Sequence, residues 1–156
     1  MTERVFVALG SNLGDRKAEI DEAVRRIGAL PMTSIVGVAP IIETEALLPP
    51  ENPAPQPSYF NTVAELRTTL EPEPLLTALK EIERAMGRVT TTRWAPRSID
   101  LDLILYGART HSSDRLTLPH PGLPHRRFVL EPLTALAPEL SLPGGTTPRE
   151  LLRLLP

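Results

Sequence analysis

Cysteine is absent from all 156 residues, so there are no disulfides and no thiolate metal sites, and any metal must take oxygen or nitrogen ligands. Aromatic residues make up only 4% of the chain, too few for the stacking platforms of a nucleic-acid surface. A formal net charge of -2 supplies no basic field for one either. Long apolar runs are missing as well. The early run Val5 to Leu9 is too short for the hydrophobic region of a signal peptide, and no later run could span a membrane. These absences fit a cytoplasmic chain that handles small molecules, with neither nucleic acid nor membrane as partner, and a monomer is the expectation.

Proline, by contrast, is abundant at 18 residues and concentrates in Leu48 to Pro57 and Pro119 to Pro124, where it stiffens loops between periodic segments. No internal repeat or composition break divides the chain, and its length suits one domain over 1–156 with a core of its own. Arg4 to Leu9 reads as a buried strand, after which Gly10-Ser11-Asn12-Leu13-Gly14-Asp15 turns the chain into a helix reaching about Ala29, with Asp15 as N-cap. The loop is not a P-loop, because no Gly-Lys-Ser/Thr follows. Thr33 to Ile42 predicts a strand bent near Gly37 and Pro40, and Thr44 closes it. Glu43 to Pro57 has the length and proline content of a semi-rigid lid.

Ser58 to Leu70 predicts a strand with Phe60, Thr62, Ala64 and Leu66 on one face and Tyr59, Asn61 and Val63 on the other. A ring and a carboxamide two residues apart can stack on a flat heterocycle and hydrogen-bond its edge together. Pro72 and Pro74 open a helix running to Met86, with a core stripe of Leu75, Leu76, Leu79, Ile82 and Met86 and a stop at Gly87. Glu83 falls at the edge of that stripe. Ala137 to Pro143 is expected to add a short edge strand, and Thr147-Pro148-Arg149-Glu150 is a capping box opening a last helix over Arg149 to Leu155. The order β-α-β-β-α-β predicts a ferredoxin-like α+β domain.

The stretch with the most chemistry is Arg93-Trp94-Ala95-Pro96-Arg97-Ser98-Ile99-Asp100-Leu101-Asp102-Leu103-Ile104-Leu105-Tyr106. Odd positions from Ile99 to Leu105 are branched aliphatics, so Asp100 and Asp102 emerge together on the opposite strand face. Two like charges there invite a cation, and Mg²⁺ suits an oxygen-only pair because it commonly takes one or two carboxylates plus substrate phosphates. Arg93 and Arg97 lie just upstream, where phosphates would arrive. Further on, Arg115, Thr117 and His120 fall in an extended segment, able to offer a cation, a hydroxyl and an imidazole to a triphosphate.

The run Arg-Trp-Ala-Pro-Arg-Ser-Ile-Asp-Leu-Asp-Leu-Ile resembles, without a gap, the signature of the 6-hydroxymethyl-7,8-dihydropterin pyrophosphokinases of folate biosynthesis. The resemblance extends in order from Gly10 to about Leu136. It implies the same ferredoxin-like fold, ATP as cosubstrate, two Mg²⁺ ions on Asp100 and Asp102, and transfer of pyrophosphate to the pterin hydroxymethyl group. It implies Gly10 to Asn12 as a backbone wall, and Thr44, Tyr59, Asn61 and Phe128 as the pterin side. Glu83, Arg93, Trp94, Arg115, Thr117, His120 and Arg126 would form the ATP side, with Arg88 and Arg97 stabilising charge on the transferring group and leaving AMP. This chain departs from better-known members at Thr90 to Thr92, where those carry a further Arg and Lys in a loop one residue longer, and at Pro121, where they often have tyrosine.

Two other classes are compatible with parts of the pattern. Another Mg²⁺-dependent nucleotidyl- or phosphotransferase also joins a Gly-Ser turn to an Asp-x-Asp strand, but at short spacing, whereas Gly10-Ser11 and Asp100 stand most of a chain apart. A non-enzymatic ferredoxin-like binding module has no reason to gather arginines beside paired acids.

Overall fold

Nine consecutive residues, Glu3–Ser11, form the central strand β1, and their alternation builds two cores at once. Val5, Val7 and Leu9 turn into one apolar cluster, while Phe6 and Ala8 turn into another on the opposite face. The computed structural model describes residues 3–45, 58–87 and 99–156. After β1 come α1 (Arg16–Gly28), β2 (Thr33–Val38), β3 (Ile42–Thr44), β4 (Tyr59–Thr68), α2 (Pro72–Ala85) and β5 (Asp100–Tyr106). A small hairpin, β6 (His111–Ser112) with β7 (Thr117–Leu118), precedes α3 (Arg127–Leu136) and α4 (Pro148–Leu154).

The main sheet runs β2-β4-β1-β5, with β3 also on β4 and every neighbour antiparallel, and helices cover it: an α+β fold. α1 and α2 pack Ile20, Ala23, Ile27, Leu75 and Leu79 on one face, each fully buried and each contributing roughly 1.5–3 kcal/mol by the usual transfer arithmetic, alanine less. Leu123, Val129, Leu130, Leu133 and Leu142 close the other face. No described helix is long and apolar enough to cross a membrane.

The local signals act where expected. The Asp15 carboxylate accepts from the Ala18 N–H at 3.1 Å, Pro72 opens α2, Gly87 ends it at φ +92°, and the Thr147 hydroxyl accepts from the Glu150 N–H. Three expectations are corrected. The bend expected near Gly37 is present as a register shift on β4 between Ile35 and Gly37, but Thr33 to Ile42 is not one strand: β2 ends at Val38 and β3 starts only at Ile42, because Pro40 brings no N–H to a ladder. Ala137 to Pro143 forms no strand. Its N–H groups make local turns, Leu140 to the Ala137 carbonyl and Leu142 to that of Thr146, and what it delivers to the core is Ala137 and Leu142. Alternation along β5 also breaks beyond Leu103. A register shift opposite Phe6 and Val7 turns both Ile104 and Leu105 toward the α3 face.

Candidate active site

Cross-strand register brings the chemistry-bearing residues onto one sheet face. Gly10 on β1 pairs with Asn61 on one side and Asp100 on the other, so Asn61, Gly10 and Asp100 form a row across three strands. One step away, Ala8 pairs with Asp102. Leu101 and Leu103 point into the α1/α2 core, which leaves Asp100 and Asp102, both half-buried, on the α3 face. Thr44 pairs with Tyr59, and the Asn61 amide donates to the Thr44 hydroxyl at 2.7 Å, fixing which edge of the carboxamide is presented. Gly10 makes this possible: a Cβ there would lie 2.9 Å from Asn61 Oδ1 and 3.5 Å from Tyr59 Cδ1. Ser11 and Asn12 are fully buried behind it.

The segment leading into α3 supplies the cationic side. Arg126 places Nη1 3.9 Å from Asp102 Oδ2, and its guanidinium lies 5.9 Å from the centre of the Phe128 ring. Phe128 packs at the margin of the α3-side core, and α3 itself lies over β4 and β3. The His120 N–H donates to the Ile104 carbonyl, two residues beyond Asp102. Burial pushes the His120 imidazole below its ordinary value, opposed by Asp102 and reinforced by Arg126 and Lys80. Its Nδ1 accepts from the Gly122 N–H at 2.9 Å, so the neutral ring carries its proton on Nε2, a donor suited to a phosphate oxygen.

A lowered histidine value means that the unfolded chain binds the proton first as pH falls below about 6.5. Linkage then makes stability fall with acidification through that window. Melting temperatures taken between about pH 7 and 5 should drop, with a smaller drop in His120→Gln. Equal drops would remove His120 from the cause.

The remaining candidates are placed differently. Arg115 donates to the Thr77 hydroxyl at 2.9 Å and pairs with Glu73 at 3.6 Å, so it leans on α2, with Thr117 exposed on β7. Glu83 is 2% exposed and accepts from the Leu101 N–H at 2.6 Å, while Lys80 donates to the Leu101 carbonyl at 3.1 Å. α2 thus satisfies the outer edge of β5 between the two aspartates. Arg88, Arg93, Trp94 and Arg97, with Thr90 to Thr92 and the prolines near Leu48, lie outside the described residues.

Sequence reading missed Lys80 and Gly122. A Cβ on Gly122 would approach Arg126 Nε to 2.6 Å, so the missing side chain is what lets the guanidinium turn toward Asp102. Gly122→Ala is expected to fold normally, because a flexible arginine yields, but to raise KM for the phosphate-bearing substrate about three- to tenfold with kcat less affected. Unchanged kinetics would detach Arg126 from the site.

The description of the 7,8-dihydro-6-hydroxymethylpterin-pyrophosphokinase (HPPK) family matches residues 6–138. The chain belongs to this family. The Pseudomonas aeruginosa 2-amino-4-hydroxy-6-hydroxymethyldihydropteridine pyrophosphokinase is 44% identical over 156 residues, covering 100% of this chain and 94% of that protein. The Haemophilus influenzae protein of the same name is 37% identical over 95% of this chain and 90% of its own. The folic acid synthesis protein fol1 of Schizosaccharomyces pombe is 39% identical, and there the HPPK-like part is 20% of a longer protein. Among solved structures, Plasmodium falciparum HPPK-DHPS with pterin and p-hydroxybenzoate superposes with a TM-score of 0.74 at 16% identity over 98% of this chain. At that identity the likeness is one of fold, and this chain spans 43% of that one.

Proposed function

We propose that this HPPK-family chain transfers the β,γ-pyrophosphoryl group of ATP to the hydroxymethyl oxygen of 6-hydroxymethyl-7,8-dihydropterin, releasing AMP and the pterin diphosphate. The observation that carries the reading is the row Asn61-Gly10-Asp100. It sets a heterocycle-binding amide and a carboxylate pair two strand spacings apart, about 10 Å, on one face. That span suits a bicyclic pterin whose hydroxymethyl arm points toward the acids.

Thr44, Tyr59, Asn61 and Phe128 would hold the pterin, the rings by stacking and the oriented amide by hydrogen bonds to its edge. Asp100 and Asp102 have the donor set of a Mg²⁺ site: half-exposed carboxylate oxygens, with room for waters and phosphate oxygens to complete the shell. Among the described residues no group of three or more acidic or histidine side chains competes for the ion. We take the pair to hold two ions. Bound Mg²⁺ would supply Lewis-acid polarisation of the attacking hydroxyl and neutralise phosphate charge. Arg126 and the Nε2–H of His120 would hold phosphate oxygens, joined by Arg115 and Thr117 if Arg115 exchanges Glu73 for nucleotide. Arg88, Arg93, Trp94 and Arg97 complete the ATP side of the proposal, and Glu83 contributes by holding β5. Pyrophosphoryl transfer asks for positioning and charge stabilisation rather than a covalent nucleophile, and the described face offers those elements. We take the chain to act as a monomer in the cytoplasm.

Purified protein incubated with ATP, Mg²⁺ and the pterin is expected to form AMP only when all three are present, as read by ion-exchange chromatography. ADP as product, or pterin-independent hydrolysis, would contradict the reading.

A further inference from the structure

Arg16 is the first residue of α1, where a cation opposes the helix dipole at a cost of about 0.3–1 kcal/mol. Its side chain nevertheless is only 26% exposed, and its Nη1 serves several acceptors at once. Nη1 donates to the Ser58 carbonyl at 2.9 Å, to the Ser58 hydroxyl at 2.8 Å and to Glu43 Oε2 at 3.1 Å. The Ser58 hydroxyl in turn donates to Glu43, and the two donors hold that carboxyl below its usual range. The guanidinium carbon also lies over Phe60, 3.9 Å from the ring centre.

Each partner is the chain neighbour of a residue on the pterin side. Glu43 precedes Thr44, Ser58 precedes Tyr59, and Phe60 stands between Tyr59 and Asn61. Side chains alternate along β3 and β4, so Arg16 grips the reverse side of the two strands whose front carries Thr44, Tyr59 and Asn61. It also bolts together the two ends of the long connection between those strands, across sequence separations of 27 and 42 residues.

Resting on the pyrophosphokinase reading, we infer that Arg16 is a positioning residue for the heterocycle: it sets the spacing of β3 and β4 and thereby the geometry of Thr44, Tyr59 and Asn61. It touches neither substrate. Its loss should weaken pterin binding selectively, whereas a purely structural arginine would loosen both ligands together.

The test is calorimetric titration with 6-hydroxymethyl-7,8-dihydropterin, in the presence of Mg²⁺ and a saturating α,β-methylene analogue of ATP, on wild type, Arg16→Ala and Arg16→Lys. Arg16→Ala is expected to weaken pterin binding about tenfold or more while analogue affinity stays within about twofold. Arg16→Lys should fall between, since it keeps the charge facing Glu43 but loses the guanidinium over Phe60. Pterin affinity within about twofold of wild type, or equal losses for pterin and analogue, would overturn the inference. Should Arg16→Ala fail to fold, the double variant Glu43→Gln/Ser58→Ala weakens the same grip and should show the same selective loss; wild-type affinity there would overturn it equally. Wild type that binds no pterin would overturn the functional reading and this inference with it, whereas wild type and Arg16→Ala binding alike would overturn the inference alone.

Discussion

Asp102→Ala is expected to lower turnover by roughly three orders of magnitude or more while leaving the protein folded. Asp102 is half-buried on the open face of β5 and stands 3.9 Å from the Arg126 guanidinium, too far for a strong hydrogen-bonded pair. Little cohesive energy is therefore lost with the carboxylate. Its neighbour on that strand face is Asp100, about 7 Å along the backbone, so truncation also removes a like-charge repulsion. The melting temperature should stay level or rise, as is common where a residue is kept for function against stability. Initial rates with saturating substrates, taken beside a thermal melt, check both halves. A variant that melts as wild type does and retains more than about a tenth of its rate would remove Asp102 from the metal role.

The second large effect is expected at a residue with no side chain. Gly10→Ala puts a Cβ 2.9 Å from Asn61 Oδ1, closer than real Cβ contacts allow, and 3.5 Å from Tyr59 Cδ1. Gly10 has ordinary extended backbone in β1, so alanine itself is tolerated there and the strand should persist. The side chain that must yield is Asn61, and rotating it sacrifices the 2.7 Å bond to Thr44 that orients the amide. A displacement near 1 Å in a positioning group costs on the order of 100-fold. The loss should appear in pterin affinity and kcat/KM for pterin, with ATP-analogue binding preserved. Wild-type pterin affinity in Gly10→Ala would show that the Asn61 amide does not read the heterocycle.

Much of this site was legible because it is written in local periodicity. The two aspartates were assigned to one face by alternation along seven residues, and Tyr59 with Asn61 by the same rule along β4. The α+β class and element order followed from capping and stop signals at Asp15, Pro72 and Gly87. Alternation stopped serving at Ile104 and Leu105, where the bulge against β1 resets the faces, since a register shift depends on the partner strand. The expected strand at Ala137 to Pro143 failed for a related reason: a short apolar run between prolines closes turns on itself when no sheet edge receives it. Arg16, Lys80 and Gly122 were not legible at all. Two of them act on residues 27, 42 or 21 positions away, and Gly122 acts by leaving space for Arg126, a role with no chemical signature of its own. Glu83 shows the opposite case. Its position at the edge of the α2 stripe was readable, but its bond to the Leu101 N–H required knowing which edge of β5 lay open.

The central claim, transfer of two phosphoryl units in one step, is tested most directly by following the phosphorus atoms themselves. ATP labelled separately at the β and γ positions is incubated with the pterin, Mg²⁺ and the purified chain, and the labels are counted in the separated pterin and nucleotide products. Both labels are expected in the pterin product in equal amounts, with unlabelled AMP beside it. Label from the γ position alone in the pterin, with the β label left in ADP, would contradict the account and make the chain an ordinary kinase.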